Sequence, residues 1–304
     1  MSDESKSKGA MARVFARAAQ VQAQSDAAPK AGGQLPLFPE EDTSALPNYI
    51  ARTPLFAPIQ PGRRKMHDDA VLPSPEGFEV RFSGKQLDMA DQDVFMLALK
   101  YAQGVDLNQP VRCDRAEFLR DLGWEPGKNG SFGKSAYDWL DQSFKRLVTG
   151  TLHIKTKRYA ANLSLVAEWT QDNQTGMWEF TIGGKVRALF ANNEYAFVDL
   201  AKRQMIEHRV DLAKWLQAYA STHEPGIHRV SVENLKKWCG YTSPTRKFRE
   251  ALTEALGELD RLKILIKPRL YREGEMAQWT RLNSVGESTA WHSASKPDEA
   301  KTTA

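Results

Sequence analysis

The feature that most constrains this chain is a unit used twice. Residues 110–182 and 228–283 each read as a strand, a short helix, a turn, a long helix with an apolar stripe, and a basic hairpin. The first copy holds PVRCDRAEFLRDLGW, GKSAYDWLDQSFKRLVTG and TLHIKTKRYAANLSLVAEW; the second holds HRVSVENLKKWCGY, SPTRKFREALTEALGELDRL and KILIKPRLYREGEMAQWTRL. A helix–turn–helix followed by a β-wing offers its second helix to a DNA major groove. Two in tandem predict an α+β protein gripping two successive grooves. The boundaries read as a disordered arm at 1–45, winged-helix domains at 46–190 and 191–283, and a disordered tail at 284–304.

Local signals place the elements. Residues 1–45 carry five Lys/Arg against six Asp/Glu and little large apolar surface, too little to offset the entropy of ordering. Six prolines between 46 and 78 predict extended or looped chain, ending before a strand at FEVRFSG. A helix then starts at Asp88 or Asp91 and stops at Gly104. Asp114 with Glu117 has capping-box spacing, Ser231 caps the short helix of the second unit, and Ser243-Pro244 predicts an N-cap followed by proline at the first helical position. Tyr137, Leu140, Phe144 and Leu147 give one buried stripe; Phe248, Leu252, Ala255, Leu256 and Leu259 give the other. Strands follow the first long helix at about 151–157, 160–169 and 177–182, while GKVRALFANN and LAKRQMIEH read as linking helices.

Composition narrows the class. No apolar run approaches the ~20 residues that span a bilayer, and the start has no apolar signal region. Cys113 and Cys239 lie in different units and form no CxxC, which suits a reduced cytoplasmic protein. The net charge of +4 is modest, but the positive excess lies outside the arm. His223 and His228 flank Pro225-Gly226 without a matching acidic or Cys cluster, so no metal is expected. GKNGSFGKS mimics a phosphate loop, yet five residues separate Gly127 from Gly133 and a helix precedes them. The expectation is a DNA-binding protein without enzymatic activity or cofactor.

The candidate contacts follow from this frame. Thr245, Arg246, Lys247 and Arg249 occupy the first turns of the second long helix, where recognition helices meet base edges. The corresponding residues of the first unit are Lys128, Asn129, Ser131, Lys134 and Ser135. Lys155, Lys157, Arg158 and Tyr159 at one wing, and Lys267, Arg269, Tyr271 and Arg272 at the other, are placed to touch phosphates or the minor groove. A solvated basic face and a charge-protected strand edge are the competing explanations.

The blocks LPLFPE, PNYIARTPLFAPIQPGRRK, FSGKQLDMADQDVF, YDWLDQSFKRL and LAKWLQAYASTHEPG occur in order between about 35 and 283 and resemble the TrfA family of broad-host-range plasmid replication initiators. The resemblance implies binding to repeated origin sites (iterons) in double-stranded DNA, opening of an adjacent AT-rich segment, and single-stranded origin DNA as a further ligand. It also implies recruitment of the host initiator DnaA, the replicative helicase and the sliding clamp, and a monomer–dimer equilibrium. QLPLF resembles the clamp-binding peptide of bacterial replication proteins, with Gln34 as polar anchor and Leu35, Leu37 and Phe38 as apolar ones; Pro36 stands where Ser or Asp is usual. The same residues could instead pin the arm to its own domain. A transcriptional regulator or autorepressor without origin-melting activity would share both recognition helices.

Overall fold

The structure is a computed structural model that describes residues 42–59, 64–75, 77–106, 108–157, 160–172, 177–207 and 209–282. In chain order, β1 (Thr43–Pro47), α1 (Asn48–Ala51), β2 (Phe56–Ala57), β3 (Met66–Leu72), β4 (Phe78–Lys85) and β5 (Leu87–Asp88) lead into α2 (Met89–Tyr101). Next come β6 (Pro110–Cys113), α3 (Arg115–Asp121), α4 (Lys134–Thr149), β7 (Thr151–Thr156), β8 (Ala160–Leu163), β9 (Glu168–Gln171), β10 (Trp178–Thr181) and a 3₁₀ helix (Gly184–Asn193). The chain continues through β11 (Tyr195–Asp199), α5 (Leu200–Gln204), α6 (Asp211–Ser221), β12 (Gly226–Ser231), α7 (Val232–Trp238), α8 (Thr245–Arg261), β13 (Ile266–Tyr271) and β14 (Met276–Arg281).

One order of elements recurs. The sequence helix, strand, helix, helix, hairpin is met first as α2, β6, α3, α4 and β9–β10, then as α6, β12, α7, α8 and β13–β14. In both, the lone strand pairs antiparallel with the second strand of the hairpin, giving β6-β10-β9 and β12-β14-β13. The stripes explain why each long helix lies on its sheet. α4 buries Ala136, Leu140, Phe144 and Leu147, and α8 buries Phe248, Leu252, Ala255, Leu256 and Leu259. These positions recur every three or four residues and so share one helix face. Phe118, Phe144, Trp178 and Phe180 close the first core mostly edge-to-face; Trp215, Tyr219 and Trp279 fill the second. The Asp114 and Ser231 side chains each accept from the backbone N–H three residues on and start α3 and α7. Ser243 makes no cap: α8 begins at Thr245 with Pro244 at the N-cap and no side-chain cap bond.

Three differences from the sequence reading matter. The first is the wing of the first unit. β7 and β8 are not its hairpin; they join β3 and β4 in a separate four-stranded sheet, ordered β3-β4-β7-β8. The register sets Val80 against Ile154 and Phe82 against Leu152, so the buried faces of β4 and β7 coincide. Lys155, paired in register with Glu79, and Lys157 therefore lie outside the hairpin of the repeated order, which is β9–β10. Arg158 and Tyr159 lie outside the described residues, as do the tail beyond 283 and the arm through residue 41.

The second difference is at the start of the fold. Residues 43–45, assigned to the arm, are buried in β1, and the Ser44 hydroxyl donates to the Met96 carbonyl at 2.9 Å. The third is at the 190/191 boundary, which β1 crosses by pairing antiparallel with β11. GKVRALFANN and LAKRQMIEH do link the units, the first as the 3₁₀ helix and the second through the five-residue α5, with β11 between them. Both cysteines are buried, and burial pushes each thiol up to about 12. No helix among the described residues is long and apolar enough to cross a membrane.

Candidate nucleic-acid interface

The stripe that buries one face of α8 turns the opposite face outward. Thr245, Arg246 and Lys247 stand exposed in its first turn. The Arg246 side chain is 82% exposed and lies 3.4 Å from Glu250, one turn on. An exposed pair at that spacing is worth only about 0.3–0.5 kcal/mol, so Arg246 can exchange Glu250 for another acceptor at little cost. Lys236 of α7 reaches the Thr245 hydroxyl at 3.5 Å and adds a cation beside this helix end.

Arg249 is different. It is half-buried, and its Nε donates to the Gly274 carbonyl at 3.0 Å. That carbonyl belongs to the turn between β13 and β14, where Gly274 has φ +79°. A Cβ on Gly274 would meet Arg249 Cδ and Nε at 3.3 Å. Arg249 thus stitches the long helix to the tip of the hairpin.

The second hairpin carries its cations on β13. Lys267 and Arg269 are exposed, and a β-bulge shifts the register between Ile266 and Arg269, with Lys267 at φ +50°. Such a bulge increases local twist and re-aims side chains. Arg269 and Arg272 flank the Tyr271 ring at 6.0 and 5.8 Å, within cation–π range. The turn itself is mixed, since Glu273 and Glu275 are also exposed.

Arg229 on β12 was not singled out by sequence. It faces outward and donates to Gln278 at 3.1 Å, and the register aligns Arg229, Gln278 and Arg269 across the three strands. The alternation of HRVSV, with Val230 and Val232 turned inward, was the signal that could have found it. Its neighbour His228 belongs to packing: the His223 and His228 rings lie 5.2 Å apart, and burial pushes His223 down to about 4.

The first unit offers a milder surface. Lys128, Asn129 and Ser131 are exposed in the loop before α4, where the Asn129 side chain accepts from the Ser131 N–H at 3.2 Å. Lys134 and Ser135 are exposed at the start of α4, with exposed Asp138 a turn further on. The hairpin that ends the first unit is β9–β10 rather than the basic segment around Lys155–Tyr159, and among the described residues it is acidic: Glu168 is exposed, and Glu179 pairs with Arg112 at 2.5 Å. Gln34, Leu35, Leu37 and Phe38 lie outside the described residues.

The far end of α8 is fixed by contacts that sequence did not suggest. Glu258 accepts from the Glu207 N–H at 2.8 Å and from Arg261 at 2.6 Å, and Arg261 also donates to the Met205 carbonyl at 3.1 Å. The hydrogen bond from Arg261 holds the Glu258 carboxyl below its ordinary range. An acid on the inward stripe with Arg three residues later was the available hint.

The TrfA protein family matches residues 32–268. The chain belongs to the TrfA family. The resemblance to these plasmid replication initiators thus holds across most of the sequence. No curated protein matches. Among solved structures, domains 2 and 3 of RctB share the fold in two determinations. The first aligns at TM-score 0.52 with 11% identity, over 79% of this chain and 99% of that one. The second aligns at 0.51 with 12% identity, over 80% and 99%. The Pi initiator protein in complex with iteron DNA aligns at 0.49 with 12% identity, over 66% of this chain and 93% of that one.

Proposed function

We propose that this TrfA-family chain is a plasmid replication initiator whose two repeated units are winged helices reading duplex origin repeats in tandem. The observation that carries the reading is the exposed cation set at the N-terminal end of α8, set beside the cationic strand β13 on a topology that occurs twice. α8 supplies the base-reading side chains Thr245, Arg246 and Lys247. Lys267, Arg269, Arg272 and Arg229 hold phosphates. In the first unit Lys128, Asn129, Ser131, Lys134 and Ser135 make the weaker set of contacts. Their neutral and mixed character suits register-setting more than affinity.

Opening of an AT-rich segment would draw on the same binding energy, because deforming the origin costs least where base steps are weakest. Recruitment of DnaA, the helicase and the clamp belongs to the reading through family membership. It requires neither a cofactor nor a catalytic step. The test is a salt titration of affinity for an origin-repeat duplex and for a scrambled duplex of equal length. The reading expects both to fall steeply with salt, with the origin duplex bound at least ~10³-fold more tightly. Equal affinities for the two would overturn sequence reading, and salt-independent affinity would overturn DNA binding through these cations.

A further inference from the structure

A chain of polar contacts runs from one long helix to the other. It starts on α4, where the Ser143 hydroxyl donates to Asp91 at 2.6 Å and Arg146 donates to the same carboxylate, also at 2.6 Å. Asp91 is fully buried on α2. The next two residues of α2, Gln92 and Asp93, hold Arg203 of α5: Nη2 donates to Gln92 Oε1 at 2.7 Å and Nε donates to Asp93. Arg203 is 2% exposed, and its Nη1 donates to the Lys214 carbonyl on α6 at 2.8 Å. Lys214 Nζ closes the cluster on Asp93 at 2.6 Å. Two and four residues past Arg203 stand the Met205 carbonyl and Glu207 N–H, the groups held by Arg261 and Glu258 of α8.

Every link joins two different elements, and Arg203 lies at the centre. From α5 it touches both α2 of the first unit and α6 of the second, beside the direct Lys214–Asp93 pair between those two helices. A guanidinium is a planar fork with fixed donor directions, so its partners Gln92 and Asp93 on α2 and the Lys214 carbonyl and Gln217 on α6 fix its orientation and theirs. A buried charge that loses its partner is costly, which makes sliding between the units unfavourable. The surfaces on either side also meet through the β1–β11 pair, direct packing of α6 against α1 and α2, hydrogen bonds from Trp215 Nε1 to the Thr53 carbonyl at 3.2 Å and from Arg52 to the Thr222 carbonyl at 2.6 Å, and a shared apolar core; among these contacts the Arg203 cluster is the ion-paired, directional one.

We propose that Arg203, held by Asp93 and Gln92, is a positioning residue that sets the distance and angle between the two recognition helices, and so the spacing of the half-sites this protein accepts. The proposal rests on the reading of both units as DNA readers. It assigns Arg203 no contact with DNA. Its consequence is phase selectivity: inserting about five base pairs between half-sites turns the second groove roughly half a turn away, and a rigid protein then cannot engage both.

The experiment uses the full chain and two variants, Arg203→Ala and Asp93→Asn; the second keeps the shape of the site should the first fail to fold. Affinity is measured for the native-spaced site, for sites with one to five inserted base pairs, and for each half-site alone. Wild type should lose at least tenfold on a five-base-pair insertion. The variants should lose at least tenfold on the native site, bind isolated half-sites within twofold of wild type, and vary less than threefold across spacings. A folded variant that keeps the wild-type spacing penalty overturns the proposal. Loss of half-site binding in proportion to full-site binding also overturns it, because the residues would then merely support each unit.

A second readout needs no DNA. Spin labels at Gln142→Cys on α4 and Glu254→Cys on α8, both exposed positions, report the distance between the helices by pulsed electron resonance. The proposal expects one narrow distribution in wild type and a broadened one in Arg203→Ala or Asp93→Asn; unchanged widths overturn it. Failure of wild type to prefer origin repeats would instead strike the functional reading and leave this mechanical result standing.

Discussion

Arg246 and Arg249 lie one helical turn apart on α8, and the structure gives them different work. Removing Arg249 deletes a charged donor from the Gly274 carbonyl in a half-buried contact. A hydrogen bond to a charged group is worth about 1.5–3 kcal/mol, and partial exposure favours the lower end. At about 2–4 °C per kcal/mol for a chain of this size, Arg249→Ala should lower the melting temperature by about 3–6 °C. Its DNA affinity should fall on specific and random duplexes alike, because the hairpin is freed while no base contact is lost. Arg246→Ala should do the reverse. Among the described residues its ion-pair partner is an exposed Glu250, so stability should stay within about 0.5 kcal/mol. Specific affinity should drop by about 1–3 kcal/mol, or roughly 5- to 150-fold, with little change on random DNA. Thermal denaturation and fluorescence anisotropy on both duplexes read all four quantities. An Arg249→Ala protein with unchanged melting temperature and a purely specific binding loss would refute the stitch and restore Arg249 as a base reader.

Other consequences follow from the same contacts. Arg229→Ala and Arg269→Ala should each weaken specific and random binding equally and reduce the salt slope by about one unit, whereas Lys155→Ala with Lys157→Ala, on a separate sheet, should leave the slope unchanged. Burial alone would raise the Asp93 carboxyl, but Arg203 and Lys214 outweigh it and hold the group below its ordinary range. Its contribution to stability is therefore complete above the unfolded carboxylate value and lost as pH falls through the lower folded value; urea melts from pH 6 to 3 should show that loss in wild type and a flatter profile in Asp93→Asn. Leu37→Ala with Phe38→Ala should preserve origin binding and abolish capture by the sliding clamp in a pull-down; retained capture would remove the clamp role, and a lower melting temperature would mark the pair as an anchor to the protein's own fold.

Sequence made the long-range plan readable where one residue's neighbours decide its fate. The stripes of α4 and α8 bury the residues their spacing picks out, except that Tyr137 stays half-buried while Ala136 beside it is buried, and Asp114 and Ser231 cap the helices they precede. It misled where strands pair across distant parts of the chain. β3 is written MHDDAVL, with Asp68 and Asp69 interrupting its alternation and a register shift with Asp69 at φ +44°. The strands at Thr151–Thr156 and Ala160–Leu163 looked like a local wing because β7 pairs with β4, far back in the chain at FEVRFSG; β3 extends the same sheet on the other edge of β4. Side-chain roles were least legible. Arg249 and Gly274 are 25 residues apart in sequence, and Arg203 and Asp93 are 110 apart. Nothing in local pattern separates an arginine that faces solvent from one that reaches across the molecule.

Hydroxyl-radical footprinting on an origin-repeat duplex tests tandem reading most directly. If α4 and α8 each enter a groove, as proposed, two protected patches per bound protomer should appear, centred about one helical turn (10–10.5 base pairs) apart. Arg246→Ala should weaken only the patch under the second unit. A single patch per protomer, or uniform loss of both patches in Arg246→Ala, would contradict the assignment of one groove to each unit.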